Sequence, residues 1–454
     1  MTFQSIDPAS GERLQEYPDW DGPRLERALA DAAAAAPGWA ATSLPARCAL
    51  MRRAGELLLQ RQDEYALLMS REMGKLLPEA QAEIEKSAKG CMYYADEAPH
   101  MLADEIIKTT AQRSLVAYQP LGLVLAIMPW NFPFWQVIRA AAPALSAGNV
   151  FALKHADNVT GCALALGQLF RDAGFPAGVF QTLMIHVPQV DAVIRDPRVK
   201  AVTLTGSERA GIAVGRAAGE SLKKCVLELG GSDACVVLED ADLRLAAETG
   251  ATARYQNAGQ SCICAKRFIL VESVADAFLQ EFRDRAAALV PGDPRDPKTS
   301  LAPLARMDLR DNLHAQVEDA LKKGAKPLLG CAPLPGKGAY YAASILDGVA
   351  PGMRPWDEEL FGPVASVIRV KDEADALQVA NGTNFGLGGA VWTRDLTRGE
   401  AFARRLESGM AFVNSMVKSD QRLPFGGIKR SGHGRELSHY GIYEFVNVKT
   451  ISIS

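Results

Sequence analysis

The 454-residue chain has no apolar run that approaches the roughly 20 residues needed to span a bilayer. The longest candidate, Leu121 to Trp130, has only about the length of a buried strand. The first residues lack the basic-then-apolar order of a secretory signal, because Asp7, Pro8 and Glu12 come early. There is no internal repeat. The sequence therefore predicts neither a membrane partner nor an exported protein.

Cysteine and histidine are too few or too scattered to build a framework. Eight cysteines in 454 residues predict mostly free thiols and a reducing, cytoplasmic setting. Six histidines are dispersed, and neither His-x3-His nor Cys-x2-Cys occurs, which argues against a metal site and a metal-dependent hydrolase. A net charge of −3 gives no electrostatic reason to expect a nucleic acid partner.

What is present is the composition of an ordinary globular protein, with 48% hydrophobic and 23% charged residues. The length corresponds to about three domains at roughly 150 residues each. Apolar spacing of three and four predicts helices over 24–36, 47–73 and 86–98, and then short strands and helices alternate from residue 115 onward. That alternation predicts an α/β fold whose parallel sheet carries helices on both faces.

Three short segments carry reactive groups of different kinds. Cys262 ends Asn-Ala-Gly-Gln-Ser-Cys, and Glu228 lies thirty-four positions earlier in Leu-Glu-Leu-Gly-Gly-Ser. Asn131 lies in Pro-Trp-Asn-Phe-Pro. A thiol can act as nucleophile, a carboxylate as base, and an amide as donor to an oxyanion. Taken alone, each residue is open to a plainer interpretation: a buried thiol, a capping carboxylate and a turn-forming asparagine.

Together these segments resemble the aldehyde dehydrogenase superfamily, and the resemblance runs from Ile6-Asp-Pro-Ala-Ser-Gly-Glu12 to Pro424-Phe-Gly-Gly-Ile-Lys-Arg-Ser-Gly-His-Gly-Arg-Glu436. It implies two doubly wound parallel α/β domains plus a small β oligomerisation element. The implied division is a cofactor domain over 1–102 and 122–230, a catalytic domain over 231–435, and an oligomerisation element over 103–121 and 436–454. A homodimer or homotetramer is expected, with the edge strand 447–454 pairing at the interface.

The resemblance also implies roles for the three reactive residues. Cys262 would add to an aldehyde carbonyl to form a thiohemiacetal, which becomes a thioester after hydride transfer to a nicotinamide. Asn131, with the backbone N–H of Cys262, would hold the oxyanion, and Glu228 would activate the water that hydrolyses the thioester. A non-enzymatic member of the family would be expected to have lost Cys262 or Glu228, and neither is lost.

The cofactor segment lacks the Gly-x-Gly-x-x-Gly of common dinucleotide folds and has Thr-Gly-Ser-Glu-Arg-Ala-Gly over 205–211, after a strand and opening a helix. The resemblance places the cofactor against Trp130, Lys154, Asp157, Gly206, Ser207, Gly211, Leu229, Glu359 and Phe361. A carboxylate at Asp157 can bond a ribose 2′-hydroxyl and repels a 2′-phosphate, which favours NAD, with some use of NADP expected.

Substrate residues are predicted from the succinate semialdehyde dehydrogenases within this family, and the chain is most like their bacterial members. Arg139 matches their carboxylate-binding arginine and Ser419 a serine they also use, whereas Gln256 replaces a second arginine. A structural ion pair is the other interpretation of Arg139, and glutarate semialdehyde or an uncharged aliphatic aldehyde are the other substrates. Cys264 lies two residues after Cys262 and is either a redox partner that blocks it or a bystander.

Overall fold

A computed structural model describes residues 2–454, which fold into fifteen α-helices and eighteen β-strands. The helices are α1 (Gly22–Ala41), α2 (Leu44–Gln60), α3 (Gln62–Met73), α4 (Leu77–Met101), α5 (Trp135–Ser146), α6 (Thr160–Asp172), α7 (Val187–Arg195), α8 (Glu208–Glu220), α9 (Leu243–Tyr255), α10 (Glu272–Ala287), α11 (Met307–Lys322), α12 (Arg354–Asp357), α13 (Glu373–Asn381), α14 (Leu396–Arg405) and α15 (Ser438–Tyr443). Three single 3-10 turns cover Asp157–Val159, Gln256–Gly259 and Lys429–Ser431.

The strands form four sheets of two, three, six and seven strands. They are β1 (Thr2–Ile6), β2 (Arg13–Pro18), β3 (Glu105–Ile107), β4 (Arg113–Pro120), β5 (Leu123–Met128), β6 (Val150–His155), β7 (Phe180–Thr182), β8 (Val199–Thr205), β9 (Lys224–Glu228), β10 (Asp233–Val237), β11 (Ala265–Val271), β12 (Lys326–Leu329), β13 (Ser344–Asp347), β14 (Val364–Val370), β15 (Gly388–Trp392), β16 (Met410–Val413), β17 (Gly432–His433) and β18 (Val446–Ile453).

The six-stranded sheet has the order β17-β9-β8-β5-β6-β7 and is parallel except for β17. The chain runs outward from β5 through β6 to β7, and then returns to β8 on the other side of β5. The strand order therefore reverses at β5. In open α/β sheets, ligands bind in the crevice beyond the carboxyl ends of the strands at such a reversal. The crevice between the ends of β5 and β8 is thus the expected binding site.

The seven-stranded sheet has the order β12-β13-β14-β11-β10-β15-β16, parallel except for β12. Each large sheet has its own hydrophobic core. A third, smaller apolar cluster contains Trp135 from α5 and Phe425, and partly buried Phe132 and Cys262 pack against it. The predicted α/β class with parallel sheets is confirmed, and each large sheet adds one antiparallel edge strand that the sequence analysis did not include.

The three-stranded sheet joins β3, β4 and β18, although some 325 residues separate β4 from β18 in the chain. The strand Val446–Ile453 pairs antiparallel with β4 over its whole length, from Val446 opposite Pro120 to Ile453 opposite Arg113. The segments 103–121 and 436–454 thus contribute to one sheet, the second of them only through its part from residue 446 onward. The residues just before it do not belong to this sheet, because α15 packs on α4 and α5.

One helix prediction is wrong: 47–73 is not a single helix. The chain leaves helical geometry at Arg61, with φ −111° and ψ 21°, so α2 and α3 are separate. No glycine or proline marks the break, and the apolar spacing continues across it. The predicted end at Gly74 is confirmed, since Gly74 adopts the left-handed conformation that closes a helix. No helix in the described part of the chain is both long and apolar enough to cross a membrane.

Candidate active site

A cavity of about 250 Å³ opens at the crevice between β5 and β8. At this cavity the loops that follow β5, β8 and β9 contact the loop that precedes β11 of the seven-stranded sheet. Its lining includes eight of the residues predicted from sequence: Trp130, Asn131, Gly206, Ser207, Leu229, Cys262, Glu359 and Phe361. The rings of Trp130 and Phe361 pack edge to face, with an interplanar angle of 88° and a centroid distance of 5.7 Å. The cavity thus joins the predicted nucleophile to the predicted cofactor segment.

The loop before Cys262 has an unusual backbone. Asn257 and Ala258 both have φ 52°, and Gly259 has φ 72°. Non-glycine residues rarely adopt positive φ, and the conformation costs free energy that neighbouring contacts must offset. The fully buried guanidinium of Arg254 supplies such contacts, because it donates to the Gly259 carbonyl at 2.7 Å and to the Gly362 carbonyl at 2.8 Å. A side chain at Gly259 would collide with that Gly362 oxygen.

The Cys262 thiol is held in its neutral form. Burial raises the pKa of Cys262 to about 12, and the cations Lys266 and Arg139 offset only part of that rise. The buried Lys266 ammonium donates to the carbonyls of Ser261 and Cys262 at 2.7 and 2.6 Å, and it pairs with Glu359 at 2.9 Å. Lys266 therefore anchors the nucleophile loop to the cavity-lining carboxylate.

The Asn131 amide is oriented by its neighbours. Its oxygen accepts from Gln136 Nε2 at 3.1 Å, and its nitrogen donates to the Gln260 carbonyl at 3.1 Å. The Asn131 backbone carbonyl accepts from Lys75 at 2.9 Å. An amide nitrogen carries two hydrogens, so one donor remains available beside Cys262. The arrangement suits a fixed donor to an oxyanion.

The Glu228 carboxyl ends β9 in a dry environment. Glu228 is 2% exposed, and neither of its oxygens has a hydrogen-bond partner among the described residues. Burial and the negative charge of Glu436 raise the pKa of Glu228 well above its usual range. An unpaired carboxylate in such surroundings is costly, so the group rests as a neutral acid and must ionise to act as a base.

The Arg139 guanidinium already has a carboxylate partner. Arg139 and Glu436 are both almost fully buried and form an ion pair. Arg139 also lies over the Phe425 ring at 4.3 Å and donates to Thr205 Oγ1 at 3.3 Å. A structural ion pair, one of the two interpretations of Arg139 given above, is thus present, and binding of a substrate carboxylate by Arg139 stays a prediction. Glu436 was assigned to the oligomerisation element, yet its side chain lies beside Glu228.

Three of the predicted cofactor residues do not line the cavity. Lys154 Nζ donates to Asp157 Oδ1 at 2.7 Å, and the other Asp157 oxygen lies 3.6 Å from His186. Gly211 lies against Leu229, and a Cβ there would come within 2.5 Å of the Leu229 side chain. Gly211 thus lets helix α8 approach the cavity wall, whereas Lys154 and Asp157 form a charged group at the end of β6.

The remaining predicted residues have distinct settings. Ser419 accepts a hydrogen bond from Lys86 Nζ at 2.6 Å. Gln256 is partly buried where α9 ends. Cys264 is fully buried, and burial raises the pKa of its thiol; Cys262 and Cys264 are both free thiols. A redox role for Cys264 stays a prediction, which peroxide inactivation reversed by dithiothreitol would support.

Sequence reasoning missed five residues that build this site: Lys86, Gln136, Arg254, Lys266 and Glu436. Only their burial distinguishes them from ordinary surface residues, and burial of a charged group is not visible in a single sequence. The best available signals were charges within apolar runs, as in Cys-Ala-Lys-Arg-Phe-Ile-Leu around Lys266.

Comparison with known proteins agrees with this geometry. Residues 1–451 match the model of the aldehyde dehydrogenase family. The chain is 49% identical over 447 residues to the Escherichia coli K12 succinate semialdehyde dehydrogenase [NAD(P)+] Sad, covering 98% of this chain and 97% of that protein. It is 47% identical over 455 residues to the Mycobacterium ulcerans succinate-semialdehyde dehydrogenase [NADP(+)] 1, covering 99% of each.

A solved structure gives the same result for the fold. The succinic semialdehyde dehydrogenase from Streptococcus pyogenes, in complex with NADP+ as the cofactor, superposes with a TM-score of 0.97 at 37% identity and covers 99% of each chain. Family match, sequence identity and fold agree over nearly the whole length. The chain therefore belongs to the aldehyde dehydrogenase family.

Proposed function

We propose that this protein oxidises succinate semialdehyde to succinate with a nicotinamide dinucleotide as hydride acceptor. The observation that carries the proposal is the cavity in which Cys262, Asn131 and the cofactor segment around Ser207 share one wall. The three relatives described above are named for succinate semialdehyde and for NADP or NAD(P), which supports both substrate class and cofactor class.

The residues fit a dinucleotide for structural reasons. Ser207 caps α8, accepting from Ala210 N–H at 3.3 Å, and it lines the cavity together with Gly206, so the N-terminus of this helix begins at the cavity. Such a helix end favours an anionic pyrophosphate. Glu359 is positioned by Lys266 to accept ribose hydroxyls, and Trp130 and Phe361 supply apolar walls. When bound, the cofactor supplies the hydride acceptor.

The protein's own groups then divide the chemistry among them. Cys262 releases its proton to solvent and its sulfur adds to the aldehyde carbon, while the Asn131 amide donates to the oxygen that becomes negative. After hydride loss the acyl group is a thioester on Cys262. Glu228, once ionised, takes a proton from water, and the resulting hydroxide adds to the acyl carbon. The C–S bond then breaks, the carboxylic acid leaves, and the Cys262 sulfur takes up the proton that Glu228 holds. The positive charges of Lys266 and Arg139 favour the thiolate form of Cys262.

The rate ratio between a charged and an uncharged aldehyde tests the proposal. We expect kcat/KM for succinate semialdehyde to exceed that for butanal by about a hundredfold or more, equivalent to roughly 2.7 kcal/mol of transition-state discrimination. Absorbance of the reduced nicotinamide under saturating cofactor measures both rates. A ratio near one would leave aldehyde oxidation intact and overturn the substrate, in favour of an uncharged aliphatic aldehyde; a higher rate with glutarate semialdehyde would change only the chain length.

For the choice of cofactor we propose that NADP is accepted and favoured, in place of the preference for NAD expected from Asp157. The argument for NAD rests on repulsion between Asp157 and a 2′-phosphate. Asp157 is however paired with Lys154 at 2.7 Å and lies 3.6 Å from His186. A carboxylate neutralised in this way repels a phosphate less. The names of two of the relatives specify NADP.

Replacing Asp157 by serine is expected to shift the cofactor preference further. Asp157→Ser frees the Lys154 ammonium to meet a phosphate and removes the nearby negative charge, so the ratio of kcat/KM for NADP to that for NAD rises about tenfold, or roughly 1.4 kcal/mol. Steady-state rates with each cofactor measure it. The matched control is Asp191→Ser, an exposed aspartate on α7, which should leave the ratio unchanged. A fall in the ratio would contradict the assignment of Asp157.

The assembly is proposed to be a homodimer or homotetramer. The three-stranded sheet leaves apolar side chains exposed on β3 and β18, namely Ile106, Ile107, Val448 and Ile453. Edges with exposed apolar residues invite strand pairing with another copy. A solution mass of only about 49 kDa by light scattering, near the 48.8 kDa of one chain, would rule the assembly out.

A further inference from the structure

A third cation besides Lys266 and Arg139 lies near the nucleophile, and it has no role in the chemistry above. Lys86 projects from α4, and its ammonium lies over the Trp135 ring at 4.8 Å. Trp135 belongs to the small apolar cluster against which Cys262 packs. The charge of Cys262 acts on Lys86. Lys86 therefore lies near the thiol through this apolar cluster, whereas no residue of α4 lines the cavity that holds the cofactor segment.

The surroundings of Lys86 leave its charge uncompensated. Among residues 2–454 it forms no ion pair, and the two carboxylates whose charges act on it have other partners: Glu83 pairs with Lys75, and Asp420 with Arg422. Its hydrogen-bond partner is a neutral hydroxyl, Ser419 Oγ, at 2.6 Å. Burial, reinforced by the positive Arg139, lowers the pKa of Lys86 to about 8. A partly buried ammonium without a counter-ion favours the arrival of an anion.

The neighbouring cation is in the opposite condition. Arg139 lies over Phe425 of the same apolar cluster and is paired with the carboxylate of Glu436. A substrate carboxylate that approached Arg139 would have to compete with Glu436. At Lys86 it would meet an unpaired ammonium and an adjacent hydroxyl that can donate a second hydrogen bond. Lys86, from a different part of the chain, thereby supplies the second positive charge that an arginine in place of Gln256 would have provided.

We infer that Lys86 and Ser419 together bind the distal carboxylate of the aldehyde, and so set the preference for an ω-carboxy aldehyde over an uncharged one. The inference rests on the proposed function, since it names the residues that recognise its substrate. Lys86 is a specificity-determining residue here, and the oxidation itself does not require it. Ser419 orients the ammonium and shares the anion.

The first test compares two substrates in Lys86→Met, which keeps the length of the side chain and its contact with Trp135. We expect kcat/KM for succinate semialdehyde to fall about tenfold or more, mainly through KM, while that for butanal changes less than about twofold. Lys86→Arg should retain most of the preference. The matched control is Lys89→Met, an exposed lysine on the same helix, which should leave both values unchanged.

A second measurement needs no variant. Lys86 is charged below its folded pKa, so the ratio of the two kcat/KM values should fall as pH rises from 7 to 9.5, through about 8. Titration of Cys262 and Glu228 acts on both substrates and cancels in the ratio. The charges facing Lys86 from the elements around it are those of Glu83, Arg139, Asp420 and Cys262. In Lys86→Met the ratio should not vary with pH.

The possible outcomes separate the two proposals. If the natural protein prefers succinate semialdehyde by about a hundredfold and Lys86→Met keeps that preference, the carboxylate is bound elsewhere and the inference is overturned while the function stands. If the natural protein shows no preference, both are overturned. If Lys86→Met does not fold, a preference that stays constant between pH 7 and 9.5 in the natural protein overturns the inference, and one that falls supports it.

Discussion

Cys262→Ala is expected to lower kcat/KM by at least about 10⁴-fold for every aldehyde, because no other thiol lines the described cavity. Asn131 and Glu228 would remain, yet neither can form the acyl intermediate. Binding of NAD or NADP, followed by quenching of tryptophan fluorescence, should persist, since the thiol holds no part of the cofactor segment. The matched control is Cys225→Ala, a partly buried thiol on β9. Residual activity above about one per cent would contradict the assignment.

The pH dependence of Cys262 alkylation distinguishes a protonated thiol from a thiol whose pKa is lowered by its surroundings. Burial raises the pKa of Cys262 to about 12, so its thiolate fraction should increase tenfold for each pH unit across the measurable range. The rate of carbamidomethylation of Cys262 in the cofactor-free protein, followed on its peptide by mass spectrometry, should rise about a hundredfold from pH 7 to pH 9. A plateau near pH 7 would mean that the loop itself lowers the pKa.

Many residues of this site can be predicted from short sequence segments, because each lies in a loop next to the strand that positions it. Asn131 follows β5, Ser207 follows β8 and Glu228 ends β9, and these three parallel strands are adjacent. Asn131 and Ser207 line the cavity, whereas at the end of β9 the lining residue is Leu229 and not Glu228 itself. Parallel strands share a carboxyl edge, and the family's motifs mark the loops there. Periodicity separately predicts the α/β class and the helices that contain 24–36 and 86–98, namely α1 and α4.

What sequence could not supply is the pairing of distant charges. Lys86 meets Ser419 across 333 positions, and Arg139 meets Glu436 from opposite parts of the chain. Periodicity places each residue on its own element, but which partner neutralises which charge depends on the packing of α4 and α5 against the C-terminal segment. The role of Arg139 therefore looked the same from sequence whether it held a substrate or Glu436. Strands such as β11 and β14 went unassigned because continuous apolar runs do not distinguish strand from buried helix.

Glu228→Gln should separate the two halves of the reaction. The amide cannot take a proton from water, so turnover should fall about 10²- to 10⁴-fold, whereas one equivalent of reduced nicotinamide per active site should still form in a rapid burst. Stopped-flow absorbance measures the burst and the steady state together. Glu220→Gln, at the exposed end of α8, is the control that should retain full turnover. Loss of the burst as well would place Glu228 in the first half-reaction and contradict its role as the base.

The buried carboxyl also predicts a change in stability whose sign is opposite to the loss of activity. The folded pKa of Glu228 is raised well above its usual range, so the folded state binds a proton that the unfolded chain releases above about pH 4.3. Stability in the natural protein therefore falls as pH rises above that value, and a neutral glutamine removes the penalty. Glu228→Gln should melt at a higher temperature than the natural protein, by a margin that grows from pH 5 to pH 8. Equal melting temperatures across this range would mean that Glu228 is ionised and solvated in the resting protein. Replacing Glu228 by glutamine removes the base in either case, but it stabilises the folded state only if the natural carboxyl is buried and neutral.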